Sequence, residues 1–270
     1  MQKFSKILSL AALACVLSYS LTFCENQNQS HNQSHNQSHN QNPPVPATRP
    51  EVSGKIGIYE SPYETGDILF SDGSAIPYST ELTLTAAQKE NAVAIIYKVS
   101  NSTAYGTGLV HKETVAWCLS SANAHNTDIT TIHDSVDTDG SDNLTQIRQA
   151  LIAAGKQNDT GTLSKYPAFE FAVKYADQTG AHVRGTDYET SWYLPTTAEL
   201  RDIFRVKTMV NGALGLCEGD LFGGDYFWSS NQDSSKAERA LLFGFYSNGN
   251  IYYAQKSDTR YKFACAIRQF

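Results

Sequence analysis

The hydrophobic pattern of this chain changes period twice. Between 66 and 79, "GDILFSDGSAIPYS" carries the β-prone run Ile68-Leu69-Phe70 into the turn pair Asp72-Gly73, which predicts a hairpin. "LTAAQKENAVAIIYKV" follows. Thr85 with Gln88 three residues on matches a capping box, in which each side chain satisfies an orphan backbone N–H at a helix start. That helical turn must be short, because "AVAIIYKV" is a continuous β-branched run of the kind found in a buried strand. "YGTGLVHKETVAWCL" predicts a further turn and strand.

From 143 the apolar spacing becomes helical. "NLTQIRQALIAAG" predicts a helix capped by Asn143, boxed by Gln146, striped by Leu144, Ile147 and Leu151, and ended by Gly155. "YPAFEFAVKYADQTG" predicts a second, with Pro167 at its start, Phe169, Val173 and Ala176 on one face, and Gly180 at its end. In "SWYLPTTAELRDIF", Trp192 and Leu194 read as core. Pro195 stops the preceding strand, Thr196 and Glu199 form another capping box, and Leu200, Ile203 and Phe204 make the buried face. The last third reads as strands and turns. "DYFWSS" is aromatic and β-prone, and "ALLFGFYSNGNIYYAQK" places two β runs around Asn248-Gly249. "KFACAIRQF" reads as a final strand with Phe263, Cys265 and Ile267 on one side and Arg268 on the other. Strands, then helices, then strands give an α+β class.

The first 54 residues follow none of these periods. Lys3 and Lys6 precede the apolar run Ile7 to Leu17, and residues 1–23 read as a secretory signal peptide. "LTFC" ends at Cys24, just before the switch to "ENQNQS", which resembles a bacterial lipoprotein signal. That assigns lipidation to Cys24, with Cys15 of "ALAC" as the alternative. Residues 24–54 repeat Ser-His-Asn-Gln and end Pro-rich. With almost no apolar residue they read as a disordered tether, and His31, His35 and His39 offer only adventitious metal affinity. The folded domain is expected over 55–270, on a lipid membrane through the N-terminal acyl anchor, at the outer-membrane surface or in the periplasm.

Composition narrows the chemistry. The 270 residues are 41% hydrophobic and 18% charged with formal net charge −6, enough for one substantial core and too acidic for nucleic acid. Cys118, Cys217 and Cys265 are an odd set, so they cannot all pair. Cys118 and Cys265 lie in apolar runs and read as buried thiols, while the compartment permits one disulfide. Asp134, Asp137, Asp139 and Asp142 invite a calcium reading, but the Gly and Glu of an EF-hand loop are misplaced or missing. No resident cofactor is expected, with calcium at these carboxylates as the alternative. His111, His125, His133 and His182 sit on scattered polar segments and read as surface groups. No nucleophile elbow, zinc-type His pair or phosphate loop is present.

Three fragments, "DGSDNLTQI…YPAFEFA", "WYLPTTAEL" and "YFWSS…ACAIRQF", resemble in order and spacing the domain-of-unknown-function 1566 family, the Legionella collagen-like C-terminal domain. "GDILFSDGS" and "AVAIIYKV" are similar to the N-terminal part of many secreted members. The resemblance implies a C-type lectin-like domain: one small twisted antiparallel sheet, two or three flanking helices, and a loop-rich half that carries binding. It also brings in the formylglycine-generating-enzyme branch, but Cys217 and Cys265 lack surroundings like that enzyme's motif. The expectation is a non-catalytic lipoprotein that binds an extracellular glycan or protein, as in adhesion. An envelope-structural lipoprotein without a small ligand is the alternative. Rigid tyrosines beside adaptable amides mark the candidate site at Tyr246, Asn248, Tyr252, Tyr253 and Asn231. Trp228 and alternate tyrosines of the same sheet read as core.

Overall fold

The computed structural model describes residues 49–246 and 248–270. The expected signal peptide, both candidate lipidation cysteines (Cys15 and Cys24) and the expected tether up to residue 48 lie outside the described residues. Residues 49–54 belong to the folded unit rather than to the tether. The Arg49 guanidinium donates to both carboxylate oxygens of Asp67 at 2.6 and 2.9 Å and stacks over Tyr59, and the Val52 N–H donates to the Ile58 carbonyl.

The fold is α+β, with two five-stranded sheets instead of one small sheet. The first contains β1 (Asp67–Phe70), β2 (Ala75–Pro77), β3 (Ala92–Ser100), β4 (Thr103–Thr107) and β10 (Ile267–Gln269), in the order β10-β4-β3-β1-β2. The second contains β5 (Lys112–Glu113), β6 (Tyr226–Gln232), β7 (Arg239–Gly244), β8 (Ile251–Gln255) and β9 (Lys262–Ala264), in the order β5-β9-β6-β7-β8. Pairing is antiparallel except between β6 and β9. The predicted β1–β2 hairpin forms, with Gly73 at φ +83, where a side chain would be strained.

Helices cover the strands on two sides. α2 (Asn143–Ala153) and α3 (Pro167–Val173) bury Ile147, Leu151, Phe169 and Ala172 in one core with Val93, Ile96, Trp117 and Trp228. α4 (Thr197–Arg205) and α5 (Lys207–Leu216) bury Leu200, Ile203, Val210 and Leu214 in the other, with Ile68, Ile95, Phe227 and Phe243. Because β3 has apolar neighbours on both faces, its first six residues are all buried, which explains the unbroken apolar run. Short α1 (Ala86–Asn91) carries the Thr85–Gln88 box and gives way directly to β3.

Four local readings change. α3 stops at Val173, short of the expected end at Gly180; Val173 is exposed instead of sharing the buried face, and a separate 3-10 turn over Tyr175–Asp177 follows. Asn143 is not the cap of α2. It is the first helical residue and fully buried, with its amide donating to Asp137 Oδ2 and Ser230 Oγ, both at 2.7 Å. α5 has no counterpart in the sequence reading, because Asn211, Gly212 and Gly215 depress helix propensity. Tertiary contacts override that: the Asn211 side chain brackets Phe222, donating to its carbonyl at 3.0 Å and accepting its N–H at 2.9 Å, and the Tyr78 ring occupies the space a Cβ on Gly212 would need. "KFACAIRQF" is two strands, one in each sheet. Its alternation survives the switch, with Ala264 and Ala266 in one core and Cys265 and Ile267 in the other. The chain end thereby stitches the two sheets together.

Candidate functional site

The three resembling fragments meet around one buried polar network. The Ser230 N–H of β6 donates to the Pro195 carbonyl at 2.7 Å, and Asn231 Oδ1 accepts the Thr197 N–H at 2.8 Å. Asn231 Nδ2 reaches the Ile132 carbonyl at 3.2 Å and Asp137 Oδ2 at 3.1 Å. Asn231 is 0% exposed, so its placement among ligand contacts is corrected: its amide is spent holding the start of α4 and the 132–137 loop to β6. The expected capping box at Thr196 and Glu199 is present in full. Glu199 is also buried, accepting the Thr196 N–H at 2.8 Å, the Thr196 hydroxyl at 2.9 Å, the Gly140 N–H at 3.2 Å and the Tyr193 hydroxyl at 2.9 Å. Burial pushes the Glu199 carboxyl up to about 7 against these donors. Trp192, Leu194 and Trp228 are core as expected, and the Trp228 indole donates to the Val115 carbonyl.

The acidic segment does not gather into a cage. Asp137 accepts from Asn143, Asn231 and the Asp139 N–H, Asp139 accepts the Ser141 N–H, and Asp142 accepts from Gln146. These three carboxylates each serve a local turn or strut. Among the described residues, no group of three His, Cys, Asp or Glu side chains is placed to hold a metal ion.

The predicted tyrosines divide by strand alternation. Tyr252 and Tyr246 close on Tyr226, with ring centroids 5.0 and 5.2 Å from it. Two glycines let these rings lie low on the backbone: a Cβ on Gly244 would stand 2.8 Å from the Tyr252 ring, and one on Gly224 would stand 3.2 Å from Tyr246. The Lys262 ammonium sits 5.5 Å over Tyr226. Tyr246 also closes a surface cavity of about 460 Å³ with Phe204, Arg205, Lys207 and Met209. Asn248 is exposed at the tip of the β7–β8 connection, which is longer than the two-residue turn that Asn-Gly suggested. Tyr253 points to the opposite face, 59% exposed, with the Arg239 guanidinium 4.1 Å from its ring centroid. Tyr226, Gly224 and Gly244 complete the platform. Tyr226 was visible in sequence as part of an aromatic strand, but the glycines show their purpose only in three dimensions.

Elsewhere the polar chemistry is interior. His111 is not a surface group: its ring packs against Phe222 and Phe227, with centroids 4.4 and 5.0 Å away, and burial pushes it down to about 4. Cys118, Cys217 and Cys265 are all free and buried. Burial raises the first two thiols to about 12 and Cys265 further, away from the thiolate form that redox chemistry uses. Lys256 is fully buried, donating to the Ala124 carbonyl and Gln232 Oε1, and desolvation lowers it to about 8.

Comparison with protein-family models finds no match, and comparison with curated proteins finds none either.

Proposed function

We propose that this chain is a non-catalytic envelope lipoprotein whose folded domain binds an extracellular glycan through Tyr226, Tyr246 and Tyr252. The observation that carries the reading is the platform itself. The rings of Tyr246 and Tyr252 both pack against Tyr226 at a loop-rich end of the second sheet, each laid against a glycine, with exposed Asn248 two residues beyond Tyr246. Such rings offer apolar faces to the C–H side of a sugar and hydroxyls to its polar side, with little rotamer entropy to lose. The resemblance to the domain-of-unknown-function 1566 family and its lectin-like relatives supports the same reading, as do the signal-like N-terminus and the polar tether. A glycan array tests it: binding that disappears in Tyr246→Ala and Tyr252→Ala upholds the platform.

A protein ligand, or an envelope-structural partner, is the second reading. One feature favours it. Among the described residues, β8 is an edge strand that pairs only with β7; it contains no Pro or charged residue and exposes Tyr253, so an extended segment of another protein has backbone groups to pair with. An array without signal, together with a crosslinked envelope protein whose capture needs Tyr253, decides for this reading.

A further inference from the structure

"SWY" at 191–193, which leads into α4, also frames a cavity. It measures about 270 Å³ and is lined by Ser141, Ser191, Trp192, Tyr193 and Gln269. None of these residues belongs to the tyrosine platform. Ser191 stands at its lip, exposed, with φ +72. A serine in the left-handed region costs about 1–2 kcal/mol, and such strain gathers at binding sites.

We propose that this cavity is a second binding site, for a single neutral hydroxylated ring such as one monosaccharide unit. Three features select that ligand. The lining has no charged side chain, so a charged ligand loses its hydration without a partner. The volume of about 270 Å³ is below the roughly 300–1,000 Å³ of pockets that hold drug-sized molecules, which suits one ring. The lining combines two serines and an amide with Trp192 and Tyr193, a polar and apolar mixture that matches the two sides of a sugar.

The hydrogen-bond polarity of the cavity is set from behind. Tyr193 gives its proton to Glu199 Oε1 at 2.9 Å. Its oxygen then keeps capacity to accept. The Gln269 amide on the lining can donate to or accept from a ligand hydroxyl. Glu199 itself is fixed by Thr196 and Gly140, so Tyr193 is held in place from α4. This site stands on its own cavity and does not depend on the tyrosine platform.

The test uses the full chain with labelled tryptophan indoles, titrated separately with methyl α-glucoside, methyl α-mannoside, N-acetylglucosamine and myo-inositol. Trp192 reports, because its indole donates to the Tyr188 carbonyl at 2.7 Å beside the cavity. The expected result is a saturable shift of the Trp192 signal with at least one probe. Ser191→Gly and Gln269→Ala are each expected to weaken it about tenfold, the loss of one hydrogen bond, while Tyr246→Ala and Tyr252→Ala leave the Kd unchanged. Ser191→Gly keeps the fold because glycine accepts this φ, so its effect reads the hydroxyl alone. The proposal is overturned if no probe moves Trp192, if the shift survives both cavity variants, or if it is lost with the platform variants.

Discussion

The phenol of Tyr193 donates to Oε1 of Glu199 over 2.9 Å inside the protein, joining the segment before Pro195 to the first turn of α4. Burial of Glu199 raises its carboxyl to about 7 from an ordinary 4.5. Below 4.5 the group is protonated in both folded and unfolded chains. Between 4.5 and 7 the unfolded chain releases the proton and the folded one keeps it, so stability declines as pH rises through that window and levels off above it. The decline is on the order of 3 kcal/mol. Urea unfolding across this window measures it, and Glu199→Gln is expected to remove that slope. A Glu199→Gln profile identical to wild type contradicts the assignment.

Asn231 is a strut, and its removal tests that against its sequence-based reading as a ligand contact. Asn231→Ala leaves the Thr197 N–H without its 2.8 Å acceptor and takes a donor from Asp137 and from the Ile132 carbonyl. Each buried group left unpaired costs about 1–3 kcal/mol. A loss of about 3 kcal/mol in chemical denaturation is expected. Unchanged stability with lost ligand binding would return Asn231 to the site.

Two glycines of α5 should respond in opposite directions. Gly215 has no atom within 4 Å of a Cβ position, so Gly215→Ala gains helix propensity of about 0.5–1 kcal/mol. At Gly212 the Tyr78 ring fills the Cβ position. Gly212→Ala is expected to destabilise by about 1–3 kcal/mol despite the same propensity gain. Thermal melts of the two variants distinguish packing from propensity, and Tyr78→Ala should recover part of the Gly212→Ala loss in a double-mutant cycle.

The platform depends on Gly244 as much as on its tyrosines. A methyl there meets the Tyr252 ring at 2.8 Å and the Tyr246 ring at 3.3 Å. These rings are at the surface and can swing away, so Gly244→Ala is expected to keep the fold while reducing ligand affinity about tenfold. Parallel melting and binding curves on the ligand found by the array check both halves.

The elements that were legible in the sequence carry short-range instructions. The boxes at Thr85–Gln88 and Thr196–Glu199 need residues three apart, and the Asp72-Gly73 turn needs a glycine with positive φ. Helix spacing over 143–153 and the proline at 167 acted in the same way. α5 escaped because its own residues argue against a helix, and only Phe222 and Tyr78 explain why Asn211 and Gly212 stand there. The candidate site was half legible. Aromatic and amide residues could be located, but not which of them strand pairing would turn together: Tyr252 joined Tyr226, Tyr253 turned away, and Asn231 went inside.

By itself, then, the sequence determined the α+β class and most element boundaries, because caps, turns and periodicity act within a few residues. Tertiary structure decided that there are two sheets, that Cys265 and Ala266 mark the crossing between them, and that the "SWY" segment borders a cavity. Those outcomes depend on what each side chain meets from distant parts of the chain. Burial and hydrogen-bond satisfaction are set by such partners, and no local pattern encodes them.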